Sequence, residues 1–136
     1  YDIISTALIS ENYAYIGGRS EELDAYIVKA YDMEGNHLLT FGEKGKDGDD
    51  WIAYVSQMME IPEGFFGIDA NMRDLYIWGP DASVLGSVEA PDLFGARYAW
   101  IAGAAKQDDG SILVALTQDR DDDSATELLL YRLSGF

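Results

Sequence analysis

Three arginines recur along the chain, each followed closely by acids. They are Arg19 in Gly18-Arg-Ser-Glu-Glu-Leu-Asp24, Arg73 in Asn71-Met-Arg-Asp74, and Arg120 in Thr117-Gln-Asp-Arg-Asp-Asp-Asp123. A guanidinium offers a planar fork of donors that matches a carboxylate, so recurring arginines suit recognition of an acidic group. The plainer alternative is that each arginine neutralises the acids of its own loop in a surface ion pair, which contributes about 0–1 kcal/mol. Two acid clusters invite a calcium reading, through Asp47, Asp49 and Asp50 and through Asp121 and Asp123. Carboxylates on flexible loops supply hard oxygen ligands. Neither cluster has the twelve-residue EF-hand spacing, and solvated turn acids are the plainer reading of both.

Other chemistry has little to stand on. His37 is the only histidine, so a histidine-based triad has one candidate member at most. There is no cysteine, which excludes disulfides, thiolate metal sites and cysteine nucleophiles. No Walker loop, HExxH or Gly-x-Ser-x-Gly occurs. Trp51, Trp78 and Trp100 could stack sugars, or could pack within the fold. With 25 acids against 9 bases the net charge is −16, which repels nucleic acid and anionic lipid. Hydrophobic residues still make up 48%, more than a disordered acidic tail would carry. No apolar run approaches the ~20 residues needed to span a membrane. The chain starts at Tyr1 with no charged-then-apolar leader, as expected of a processed product or a piece of something longer.

The elements that must position these residues read as β throughout. Alternating or β-branched runs occur at Tyr13–Gly18, Ala25–Tyr31, Leu38–Phe41, Trp51–Met59, Phe65–Ile68, Asp74–Trp78, Ser83–Val88, Tyr98–Ala102, Ser111–Leu116 and Thr126–Tyr131. Turn signals punctuate them at Asp32–Asn36, Pro62–Gly64 and Gln107–Gly110. Trp51–Met59 has a helical period as well, but its composition favours a strand. No amphipathic helix of ten residues is expected. The runs recur in a unit of roughly 50 residues and four short strands, the size of a propeller blade. Tyr26, Tyr76 and Leu130 fall in matching strands, and so do Tyr13, Phe65 and Ile112. The expected fold is all-β, a single domain of about three blades at 1–42, 50–89 and 97–134.

The stretch Asp32-Met-Glu-Gly-Asn-His-Leu-Leu-Thr-Phe-Gly-Glu-Lys-Gly45 resembles the blade endings of NHL-type repeats and related six-bladed β-propellers, many of them bacterial envelope proteins. The resemblance implies that the Asp-x-x-Gly turn joins a third strand to an outer fourth. It also implies that the loop after Phe41-Gly42 leads to the innermost strand of the next blade. The second unit departs from the pattern, since Gly79-Pro-Asp-Ala82 lacks the late glycine. The third stops at Gly135-Phe136 before an outer strand, leaving Leu128–Leu133 as an apolar edge. Three blades read as half of a six-bladed ring, completed by a second copy or by the remainder of a longer chain.

By the same resemblance, the loops after each second strand and those between blades share one face. Arg19, Arg73 and Arg120 would stand there with Lys44, Lys46 and Arg97, six of the 9 bases. The implied function is a non-enzymatic binding or scaffold module for a protein or glycan, extracytoplasmic and without a cofactor. Its candidate ligand residues are Arg19, Arg73, Arg97 and Arg120. Similar rings host hydrolases and lyases, so an enzyme fragment is the alternative, and self-assembly through an open strand edge is a third reading.

Overall fold

Strands dominate the computed structural model, which describes residues 3–95, 99–119 and 126–135. They form three antiparallel sheets in chain order. Sheet one holds β1 (Ile3–Ile9), β2 (Ala14–Ser20), β3 (Ala25–Tyr31) and β4 (His37–Phe41). Sheet two holds β5 (Val55–Ile61), β6 (Gly64–Asp69), β7 (Asp74–Trp78) and β8 (Val84–Glu89). Sheet three holds β9 (Ala99–Lys106), β10 (Ile112–Asp119) and β11 (Thr126–Leu133), with β11 at its edge among the described residues. A 3-10 turn, Gly45–Asp47, lies between sheets one and two. A five-residue helix α1, Ala90–Phe94, lies between sheets two and three. Pro91 stands in its first turn and Gly95 closes it at φ 65°.

Sheet two is the centre of the stack, and its sequence shows why. All but the first residue of β6 are buried, so Phe65-Phe-Gly-Ile reads as a continuous apolar run instead of an alternating one. One face packs on sheet one, where Tyr15, Val28 and Phe41 meet Met58, Phe65 and Trp78. The other packs on sheet three, where Phe66, Ile68 and Leu75 meet Ile112, Val114 and Leu116. Trp78 is fully buried, edge-on to Phe41 at 5.0 Å and stacked on Tyr76 at 5.2 Å. Such ring pairs add about 0.5–1.5 kcal/mol each beyond area burial. The first strands sit side by side, β1 against β5 and β5 against β9. Glu60 on β5 ties them: its carboxylate accepts from Ser10 (2.7 Å) and Tyr15 (2.8 Å), and its carbonyl from Lys106 (2.8 Å).

One five-residue turn is used three times, at 32–36, 79–83 and 107–111. In each, the first residue's amide donates to the fifth residue's carbonyl, at 3.0, 2.8 and 2.8 Å. The fourth residue's amide returns to the first carbonyl, at 3.1, 3.0 and 3.0 Å. The fourth position is left-handed every time: Gly35 at φ 87°, Ala82 at 66° and Gly110 at 84°. Ala82 thus adopts the glycine conformation without being glycine, so the missing glycine of the second unit changes the residue and not the turn.

The structure differs from the sequence reading in several places, among them β1, which none of the expected runs covers. Residues 51–54 are loop, and β5 starts at Val55. The Asp69 carboxylate takes the amides of Ala53 and Tyr54 out of any ladder, at 2.5 and 3.3 Å. The helix at Ala90–Phe94 was not expected, although proline at its start and glycine after its end are the ordinary signals for one. Among the described residues no helix is long and apolar enough to cross a membrane.

Candidate functional site

The loop after β2 and the loop before β5 enclose a groove of about 600 Å³, within the range of small-ligand sites. Its lining includes Arg19, Asp24, Tyr26, Lys46, Trp51 and Tyr54. Trp51 is 52% exposed, a large indole left open to solvent. The Tyr26 and Tyr54 rings lie 6.4 Å apart, tilted by 41°. Together they make an aromatic wall beside two cations, on a chain of net charge −16.

Each wall residue is held by a local device. Tyr26 crosses β2 over Gly17, where an added Cβ would come within 2.3 Å of its hydroxyl oxygen. That hydroxyl shares a 2.7 Å hydrogen bond with the Thr6 hydroxyl. Tyr54 and its neighbour Ala53 are anchored through their amides by Asp69, which is completely buried. The same carboxylate also accepts the amides of Asn71 and Met72, both at 3.0 Å, so it caps the β6–β7 turn as well. Trp51 follows Asp50, whose Oδ2 accepts from the Gly42 amide at 3.0 Å and the Trp78 indole at 2.9 Å. The groove's floor is therefore pinned by two buried carboxylates that do not themselves face the ligand space.

The expected cation cluster is brought together only in part. Arg19 and Lys46 line the groove, and Arg19 donates to Asp24 of its own loop in an exposed ion pair. Asp24 is left-handed at φ 47°, and Arg73, at the matching place before β7, is left-handed at φ 59°. Arg73 does not line this groove. Its guanidinium lies 5.4 Å from the ring centre of Trp100, which is 54% exposed. Lys44 borders a neighbouring cleft with Asp49, Asp50 and Asp81. Arg97 and Arg120 lie outside the described residues.

Of the calcium candidates, Asp50 is turned inward and committed to the two bonds above, while Asp47 and Asp49 are exposed. Asp121 and Asp123 lie outside the described residues. Among the described residues no group of three or more acids or histidines is placed to hold a metal ion. His37 is exposed on β4, with Nε2 3.0 Å from both the Leu39 carbonyl and the Thr40 hydroxyl. No protein-family model matches this sequence, and no curated protein matches it.

The perturbed acids fall into two groups. Asp81 and Asp109 sit below the usual carboxylate range because Ser83 and Ser111 each donate to them from both hydroxyl and amide. Asp32 is lowered first by the Asn36 side chain and then by the Asn36 amide. Asp74 moves the other way, raised mainly by burial. Tyr15 and Tyr76 are raised, burial again leading.

The sequence reading missed Tyr26, Tyr54 and Asp69. The run Asp69-Ala-Asn-Met72 after an apolar strand is an Asx-turn signal that could have marked Asp69. Nothing local marks the two tyrosines, which meet across 28 residues of chain.

Proposed function

We propose that this chain is a non-enzymatic binding module of the β-propeller type, similar to NHL-like repeat proteins and extracytoplasmic, whose ligand is a short glycan carrying a carboxylate. The observation that carries the reading is the groove that sets exposed Trp51, Tyr26 and Tyr54 beside Arg19 and Lys46. Aromatic faces stack on sugar rings, and the guanidinium fork and ammonium meet a carboxylate. Arg19 has five N–H donors, and the bond to Asp24 runs through Nη2. The net charge argues for a short ligand: a polyanion would be repelled by the whole molecule, whereas one carboxylate feels mainly the groove's own charges, Arg19 and Lys46 against Asp24. The stack of consecutive sheets with adjacent first strands is consistent with propeller blades.

The test is calorimetric titration with a uronic-acid disaccharide, the matching neutral disaccharide and a long polyuronate. The acidic disaccharide is expected to bind best, with a change in Trp51 fluorescence. Trp51→Ala and Arg19→Gln are each expected to weaken it at least tenfold. No binding by any of the three, or binding untouched by both variants, would overturn the assignment.

A further inference from the structure

Both ends of the three-sheet stack present apolar faces. In sheet three, Ile112, Val114 and Leu116 point into the core shared with sheet two. Alternation along β10 turns Leu113 and Ala115 the other way. Their cross-strand partners Arg132 and Leu130 share that outward face, as does Leu128 opposite Thr117. Leu128 and Leu130 are 67% and 64% exposed, and a shallow apolar depression runs between Gly103, Leu113, Ala115 and Leu130. In sheet one, Leu8 pairs with Tyr15 and faces sheet two. Ala7 and Ile9, paired with Ile16 and Ala14, therefore face away, and Ile9 is 82% exposed.

We infer that these two faces bind each other in a pair of copies, sheet three of each copy docking on sheet one of the other. Continuity with the packing inside the chain argues for a second copy as the occupant. Sheet one packs its trailing face on the leading face of sheet two, and sheet two does the same on sheet three. Among the described residues, no sheet packs on the leading face of sheet one or on the trailing face of sheet three. A second copy presents the missing half of both contacts at once, which a single unrelated surface does not. Charge placement agrees. The chain has 25 acids, yet no described outward-facing side chain on β9–β11 or β1–β3 is acidic, while Lys29 and Arg132 are basic. A face merely solvated on such an acidic protein would carry its share of carboxylates. Contiguous exposed apolar surface on a soluble chain marks an interaction site. A two-fold pair would make two such contacts, each burying a sheet face.

The inference is independent of the ligand groove, whose residues the test leaves alone. Sedimentation equilibrium on the whole chain should give twice the 15.0 kDa chain mass at high concentration. The pair should strengthen from low salt to 1 M salt, as screening relieves repulsion between copies of charge −16. Because the chain has no cysteine, single cysteines report contacts cleanly. Mixing Ile9→Cys with Leu130→Cys chains and a short bis-maleimide should give a mixed covalent pair that neither variant gives alone. Leu128→Lys with Leu130→Lys should leave the far-UV spectrum unchanged and the mass at one chain. A single-chain mass at millimolar concentration in 1 M salt would overturn the inference. So would cross-linking of Leu130→Cys to itself, which would put sheet three on sheet three.

Discussion

Replacing Asp69 by asparagine changes one atom at the point that shapes the groove floor, and the two oxygens make the cost calculable. Oδ1 accepts from the amides of Tyr54, Asn71 and Met72, and Oδ2 accepts from Ala53 at 2.5 Å. Asparagine has one oxygen. Its best orientation keeps the three bonds and turns its own N–H₂ toward the Ala53 N–H, donor against donor. One bond to a charged acceptor is lost, about 1.5–3 kcal/mol, and a buried donor is left unpaired, about 1–3 kcal/mol. The two overlap, so the expected loss is about 2–4 kcal/mol. For a chain of this size that is roughly 6–20 °C in Tm. Asp50 is the internal comparison. Both of its donors, Gly42 and Trp78, use the same oxygen, so an amide can keep both bonds. Asp50→Asn should cost about 1 kcal/mol or less, because only the charge is lost. Exposed Asp49→Asn should fall within about 0.5 kcal/mol of the parent. Urea unfolding followed by tryptophan fluorescence reads all three by linear extrapolation. Asp69→Asn should also weaken ligand binding, since Ala53 and Tyr54 lose their anchor. If Asp69→Asn were within about 0.5 kcal/mol of the parent, or cost less than Asp50→Asn, the four-donor reasoning would fail.

Gly35→Ala and Gly110→Ala should each cost about 1–2 kcal/mol in the same unfolding assay. No atom lies within 4 Å of the added carbon at either place, so the cost is purely that of a left-handed alanine. Stability against pH should peak just above the ordinary aspartate range. Asp74 is raised, so neutral pH carries its ionisation cost, which is relieved as pH falls through its folded pKa. Asp32, Asp81 and Asp109 are lowered, so their contribution is present above about pH 4 and lost as pH falls through their folded values. Above about pH 10 the raised Tyr15 and Tyr76 ionise first in the unfolded chain, and stability falls again. A urea midpoint that declines steadily from pH 7 to pH 4 would contradict the Asp74 assignment.

Ten of the eleven described strands were legible in the sequence, helped by turn chemistry at Asp32–Asn36, Pro62–Gly64 and Gln107–Gly110, whereas β1 carried no such signal. The Asp32–Asn36 and Gln107–Gly110 signals fall on two of the three equivalent turns. The third, with proline, aspartate and alanine, shows that the hydrogen-bond pattern of this turn tolerates a residue the sequence pattern does not. The error at Trp51–Tyr54 has a different origin. Those residues look like strand because they are apolar and aromatic, yet the amides of Ala53 and Tyr54 are claimed by a carboxylate 15 residues or more downstream. No window of local propensity contains that competitor.

The site was less legible for the same reason, and the reason bears on where recognition lies. Arginine recurrence drew attention to three loops, and of the two that are described, Arg19 joins the groove while Arg73 covers Trp100 instead. What gives the groove its character is the aromatic wall. Tyr26 is strand, Trp51 and Tyr54 are loop, and they meet only because Asp50 and Asp69 fasten that loop beside sheet one. A ring of equivalent arginines would make each loop an equal contributor. The structure instead concentrates the exposed indole, the tyrosine pair, Lys46 and the Asp24-paired Arg19 at one boundary, between sheets one and two. A ligand read there should therefore be sensitive to Trp51 and Arg19 and indifferent to Arg73, and a variant series ranking them otherwise would shift the site to the boundary of sheets two and three.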